Sequence, residues 1–228
     1  MQGFIDLVGY GLCHQMPSRT FMSCGFSYPV CARDTGMYLA ICVTLLILAC
    51  LYRKKATYRF PPAPVVIVMV LLFLPFPIDG ITSYMGFRET TNLIRYVTGY
   101  GCGTTLGILL FWALHASFFA AHEETRLSGD VRSCLKWLLI AAAVGAGLYL
   151  AYPFLGLVGA LLCVVAILST FTVVVCLILA CVGPLMARIP EGRRLAPFMA
   201  MGLLGTFVLL FLLTFLKLFV LRAAGHVT

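Results

Sequence analysis

Residues Leu195–Leu221 read LAPFMAMGLLGTFVLLFLLTFLKLFVL, an apolar run in which Lys217 is the single charge. A helix needs roughly 20 apolar residues to cross a hydrocarbon core of about 30 Å, so this run has the length and composition of a membrane span. Working outward, five more runs of the same kind lie near residues 35–52, 61–78, 93–121, 134–152 and 155–187. The fourth and fifth meet around Tyr152-Pro153 and Gly156, where Pro and Gly favour a tight hairpin. The chain of 228 residues is 62% hydrophobic and 11% charged. Its mean hydropathy of +1.04 lies far outside the soluble globular range. Residues 1–228 are therefore expected to form one integral membrane domain, an all-α polytopic bundle of about six transmembrane helices.

The formal net charge of +8 does not point to nucleic acid. The Lys and Arg flank apolar runs, where they anchor helices and set orientation, and no basic stripe interleaved with aromatics exists outside the spans. Arg53, Lys54, Lys55 and Arg59 follow the first span, Arg126, Arg132 and Lys136 the third, and Arg188, Arg193 and Arg194 the fifth. Cytoplasmic loops carry the excess of positive charge, so with six spans these residues share the cytoplasmic side and both termini are expected outside it. The first 30 residues lack a basic n-region and a small-residue cleavage site before a long apolar core, so no removable signal peptide is expected. The location that follows is the plasma or inner membrane of a cell.

Two polar clusters then share the extracytoplasmic face. The first, within residues 1–34, is CHQMPSRTFMSCGFSYPVCARD from Cys13 to Asp34. Phe4, Ile5, Leu7, Val8 and Leu12 ahead of it, and Pro17 and Pro29 within it, predict a short helix or re-entrant cap. Cys13, Cys24 and Cys31 with His14 make an arithmetically sufficient tetrahedral set for zinc or copper(I). The spacings match no C-x-x-C ribbon, however, and the adjacent Cys13 and His14 do not readily face one metal, so no metal is assigned and a disulfide or free thiols stand beside that reading. Five other cysteines, Cys42, Cys50, Cys163, Cys176 and Cys181, lie in apolar spans and read as small hydrophobes.

The second cluster runs from Asp79 to Gly99. Asp79 follows Pro75 and Pro77 at the expected end of the second span, and Gly80 and Gly86 permit a turn. Thr90, Thr91 and Asn92 are N-cap candidates for the third helix, with Arg88 before it and Arg95 one turn inside. Helix N-terminal amides and two guanidinium groups suit an anion. The plainer reading is that Asp79 pairs with Arg88 or Arg95. Gly99, Gly103 and Gly107 form a small-xxx-small stripe that lets a neighbouring helix approach closely. His115 and His122 share a face of the third span, but no other span supplies an opposing His for haem.

The runs CHQMPSRTF, VCARDTGMYLA and IDGITSYMGFRETTNLIRYVTGYGCG, over about Gly11–Gly103, resemble a family of small prokaryotic integral membrane proteins known only as a domain of unknown function. That family has a Cys-His-Gln-x-Pro-x-Arg-Ser-Phe start, a Cys-Ala-Arg-x-Thr-Gly entrance to the first span and an Asp-Gly-x-Thr-Gln…Ser-Thr-Asn-x-x-Arg-x-x-Thr-Gly segment. The resemblance implies a membrane fold and marks Cys13, His14, Arg19, Cys31, Arg33, Gly36, Asp79, Gly80, Thr82, Arg88, Asn92, Arg95 and Gly99. Thr20, Ser83 and Thr90 depart from its Ser, Gln and Ser, and it brings no known reaction.

The reading that results is a membrane-embedded enzyme acting on an anionic lipid or lipid-like substrate. Arg19, Arg33, Arg88, Asn92 and Arg95 would hold the anion, Asp79 and His14 would exchange protons, and Cys13 or Cys31 would act as nucleophile or ligand. The alternatives are a thiol–disulfide or quinone-linked redox protein, and a transporter or accessory subunit. The expected surroundings are the lipid bilayer, a lipid or quinone ligand, and a membrane protein partner or a second copy.

Overall fold

The computed structural model describes residues 1–52, 57–59, 61–118, 124–126, 131–181 and 195–223. In order these form α1 (Gln2–Tyr10), a 3-10 turn (Pro17–Arg19), β1 (Thr20–Ser23), β2 (Phe26–Cys31), α2 (Ala32–Leu51), β3 (Thr57–Arg59), α3 (Ala63–Phe73), α4 (Pro75–Tyr84), α5 (Asn92–Phe118), β4 (Glu124–Arg126), α6 (Val131–Cys181) and α7 (Leu195–Ala223). Strands β1 and β2 pair antiparallel, and the short β3 and β4 pair parallel. Arg53, Lys54, Lys55, His122, Arg188, Arg193 and Arg194 lie outside the described residues.

Among the described residues, five helices are long and apolar enough to cross a membrane. The second of them is α3 and α4 together, joined at Leu74, which keeps helical dihedrals (φ −55°, ψ −39°). Pro75 and Pro77 lack amide donors and tolerate this place because α4 starts there. Asp79 and Gly80 are consequently inside a helix, which runs on to Tyr84, rather than at its end near residue 78. The turn comes later, at Gly86 with φ +74°.

The fourth crossing-length helix, Cys134–Cys181, breaks at Gly156 (φ 49°, ψ −126°), and each limb of roughly 22–25 residues measures about 33–38 Å at 1.5 Å per residue. The contacts reverse sense at this break. Going down α5, Tyr96 Oη donates to the Gly145 carbonyl (3.0 Å) and Tyr100 Oη to that of Ala141 (2.7 Å), so residue numbers fall along the first limb. Going down α2, Cys163 Sγ meets Thr35 Oγ1 at 3.9 Å and Phe171 faces Tyr38, so they rise along the second. The apex is capped by the β-hairpin: Ser23 Oγ donates to the Pro153 carbonyl (2.8 Å) and accepts from the Gly156 amide (2.9 Å). A Ser23→Ala substitution strands both groups. It is expected to cost about 1–3 kcal/mol, read as a lowered unfolding temperature in detergent with unchanged helix content.

Helices α2 and α5 form the tightest pair and run parallel. A Cβ added to Gly99 would lie 1.9 Å from the Arg33 carbonyl oxygen, one on Gly103 2.1 Å from that of Met37, and one on Gly107 2.8 Å from Thr44 Cβ. The small-residue stripe therefore faces α2, and backbone touches backbone along it. Around this pair the core gathers Ile5, Phe21, Val30, Ala40, Tyr96 and Ile167, while the outer faces of α3, α6 and α7 expose Leu71, Leu150, Phe154, Leu204, Phe211 and Phe219. An apolar belt of this kind is what a lipid-facing surface requires.

Candidate functional site

The N-terminal segment is a small cap built on one end of the bundle. The hairpin loop is Cys24-Gly25, whose positive φ values of 48° and 81° suit a two-residue turn that follows strand twist. This keeps Cys24 exposed at the apex of α6, 3.7 Å from the Pro153 carbonyl. Helix α1 lies on β2 at Gly9, where a Cβ would collide with the Pro29 carbonyl. Ile5 and Val8 bury against that surface, while Phe4 and Leu7 remain exposed. Gln15, itself at φ 51°, donates to the carbonyls of Asp6 (2.8 Å) and Pro29 (2.9 Å) and closes the link after α1. From the far end of the chain, Lys217 Nζ donates to the carbonyls of Tyr10 (2.5 Å) and Cys13 (2.8 Å) and sits 4.3 Å over the Tyr10 ring. A cation at the C-terminal carbonyls of α1 complements the helix dipole.

Cys31 ends β2 and is the N-cap of α2, so Asp34, one helical turn on, points back toward it. The Cys31 thiol donates to Asp34 Oδ2 at 3.2 Å, and the Cys31 amide donates to Cys13 Sγ at 3.4 Å. Cys13, Cys31 and Asp34 each bring a ligand atom within 4.8 Å of the others. Asp34 sits in the first turn of α2, facing the thiols. The hydrogen bond from the Cys31 side chain, helped by the Gln15 and Cys31 backbone, holds the Cys13 thiol down to about 6 against the opposing effect of burial. The same bond and burial push the Cys31 thiol up.

The arginines divide into two kinds. Asp79, 1% exposed, takes Arg33 from α2 through Nε at 3.1 Å and through Nη2, and Arg88 Nη2 at 2.5 Å. Its partners among the described residues are Arg33 and Arg88, not Arg95, and these charge-assisted bonds hold the carboxylate in place. Arg95, 8% exposed, donates to the neutral Asn92 Oδ1 at 3.0 Å. Among the described residues it makes no ion pair. Arg19 lies over the Tyr84 ring at 5.3 Å, likewise without a carboxylate there. Helix α5 begins at Asn92 with the Thr91 hydroxyl accepting from the Ile94 amide (3.3 Å), the N-cap the sequence implies.

These groups meet in a cleft of about 540 Å³. Cys13, His14, Arg19, Cys31, Arg33, Asp34 and Arg95 supply its polar wall, and Leu12, Met16, Phe76, Ile81, Tyr84 and Met85 its apolar one. Asp79 stands behind this wall rather than in it. A second cleft of about 450 Å³, between Ser18, Arg19, Ser83, Arg88, Glu89, Thr90 and Arg95, shares Arg19 and Arg95 with the first. Of the residues picked out in the sequence, Cys13, His14, Cys31, Arg19, Arg33 and Arg95 thus converge on one cleft. Arg88 and Asn92 stand beside it as partners of Asp79 and Arg95, and Cys24 lies apart at the hairpin tip. Asp34 and Lys217 are the residues that sequence reasoning undervalued; the i, i+3 spacing of Cys31 and Asp34 at a helix start was the available signal.

The profile of a family described as "Predicted membrane protein (DUF2085)" matches residues 13–109. The chain is 41% identical over 98 residues to an uncharacterised protein of Methanothermobacter thermautotrophicus, across 43% of this chain and 83% of that one. It is 34% identical over 95 residues to an uncharacterised protein of Methanocaldococcus jannaschii, across 42% of this chain and 58% of that one, so it spans little more than half of this second relative. No solved structure matches. The matched stretch begins at Cys13 and contains Cys31, Arg33, Asp34, Asp79, Arg88 and Arg95. With its apolar, membrane-length helices and this match, the chain is an integral membrane protein and belongs to the DUF2085 family of predicted membrane proteins.

Proposed function

We propose that the cleft binds an anionic, lipid-like molecule at the extracytoplasmic face and presents it to the thiol cluster, as a membrane-embedded enzyme would. The observation that carries this reading is Arg95. A guanidinium 8% exposed, with a neutral amide oxygen as its hydrogen-bond acceptor and no ion pair among the described residues, is an incomplete arrangement. Burying a charge is costly unless an opposite charge meets it. Arg19 shares both clefts with Arg95, and an anion there would be met by two cations and, through α5, by the N-terminal helix dipole. The apolar wall from Leu12 to Met85 suits the chain of an amphiphile, and the volume is that of an ordinary small-molecule site.

Arg95→Ala is expected to abolish retention of co-purifying anionic lipid, seen by native mass spectrometry, while the protein stays folded. Arg126→Ala, in β4, is expected to leave retention unchanged. Equal retention in both variants overturns the proposal. The orientation, with both termini and the cleft outside the cytoplasm of a plasma or inner membrane, rests on the distribution of basic residues between spans. Single-cysteine reporters at Lys54 and Arg193 are expected to resist impermeant thiol reagents added to intact cells, and labelling from outside would reverse it.

The adjacency of Cys13 and Cys31 favours a second reading, a dithiol–disulfide couple. Under it, mild oxidation of the purified protein removes two titratable thiols, and reduction restores them.

A further inference from the structure

We infer that Cys13 Sγ, Cys31 Sγ and an Asp34 carboxylate oxygen form a site for one zinc ion whose fourth position opens into the cleft. Three donors from three places in the chain converge here: the link after α1, the end of β2 and the first turn of α2. Their ligand atoms lie within 4.8 Å of one another. Zinc at about 2.3 Å from sulfur and 2.0–2.2 Å from oxygen places tetrahedral ligands roughly 3.5–3.8 Å apart, so the three donors need only draw closer by about an ångström.

The donor types select the ion. Two sulfurs with one carboxylate oxygen are borderline rather than soft, which favours zinc over copper(I), whose preference is for sulfur alone. Three protein ligands and one vacant position is the pattern of a reactive rather than a structural zinc. The outer supports are also in place. The Cys31 amide already points at Cys13 Sγ, and Lys217 holds the Cys13 carbonyl from α7. Bonds of this kind orient first ligands and stabilise thiolate charge. Two thiolates and a carboxylate with zinc leave about one negative charge, next to the Arg19 and Arg95 wall of the same cleft. His14 lines that cleft but is not among the three, and Cys24 is remote.

The site stands whatever fills the cleft, so its test is separate from that of the anion. The full-length protein, purified in detergent under reducing conditions, is incubated with zinc chloride and desalted, and metal is counted per chain. One zinc is expected for wild type, and none for Cys13→Ser, Cys31→Ser or Asp34→Asn. His14→Ala, Cys24→Ser and Arg95→Ala are expected to retain one zinc. Cobalt(II) in place of zinc reads the same site without relying on those variants' stability, since wild type should then show a sulfur-to-cobalt charge-transfer band that a chelator removes. Absence of tight zinc in reduced wild type, retention of zinc by the Cys13→Ser/Cys31→Ser double variant, or cobalt binding without sulfur charge transfer would each overturn the inference. Arg95→Ala losing lipid but keeping zinc separates failure of the anion reading from failure of this one.

Discussion

Replacing Gly99 and Gly103 together by alanine is expected to prevent α2 and α5 from pairing and to leave little folded protein in the membrane. The new Cβ atoms would stand 1.9 Å from the Arg33 carbonyl oxygen and 2.1 Å from that of Met37. Neither obstacle is a flexible side-chain tip, so the helix axes themselves must separate. Overpacking at one site costs typically about 1–3 kcal/mol. Here two sites fail on one interface, and the loss spreads, because the same interface sets the position of Arg33 against Asp79 and of Cys31 and Asp34 against Arg95. Gly147→Ala is the matched control. Its added Cβ meets nothing within 4 Å, and Ala in a helix interior is favoured over Gly by roughly 1 kcal/mol. The measurement is unfolding temperature and monodispersity in detergent. Equal behaviour of the double variant and the control would refute the close-packed pairing.

Asp79→Asn is the second large effect, with an expected loss of about 3–5 kcal/mol, the cost of stranding one buried partner of an ion pair. The neutral amide cannot compensate Arg33, whose side chain is 10% exposed at the start of α2, where the helix dipole already disfavours a cation. Arg88, with a side chain 46% exposed, can turn to water, so its contribution is small. An Arg33→Met/Asp79→Leu double variant, which removes both buried charges, is expected to recover most of the stability. Thermal unfolding of the three proteins decides this, and a wild-type transition in Asp79→Asn would show that the pair is not the latch between α2 and α4.

Several features were legible in the linear order of residues. The helices follow from local sums of hydropathy over about 20 residues, which need no knowledge of neighbours. The Thr91 cap follows from side-chain reach over three residues, and the glycine stripe from a four-residue period on one face. The division of Cys134–Cys181 at Gly156 was visible because Pro153 and Gly156 interrupt an otherwise uniform run. The β1–β2 hairpin was not foreseen, since Phe26–Cys31 contains Pro29 and sits inside a segment too short and irregular for a period to show. The helix Pro75–Tyr84 was cut short at residue 78 because Asp79 looks like an exit from the membrane when its partners are unknown.

Partners are what the tertiary structure alone decided. Arg33 and Asp79 are far apart in the chain, and which arginine reaches Asp79 depends on the rotation and depth of α2 against α5, settled by backbone contact at Gly99 and Gly103. That contact assigns Arg33 to Asp79 and leaves Arg95 without a carboxylate among the described residues. It also brings the first turn of α2 to the cleft. The α1 link then delivers Cys13 to Cys31 and Asp34, while the tight Cys24-Gly25 turn carries Cys24 to the apex of α6. Sequence by itself determined that this chain lies in a membrane and where its polar residues cluster, because both are sums over neighbouring residues. Which of those residues touch was decided by helix packing, because a side chain's partner depends on distances between helices that no local pattern encodes.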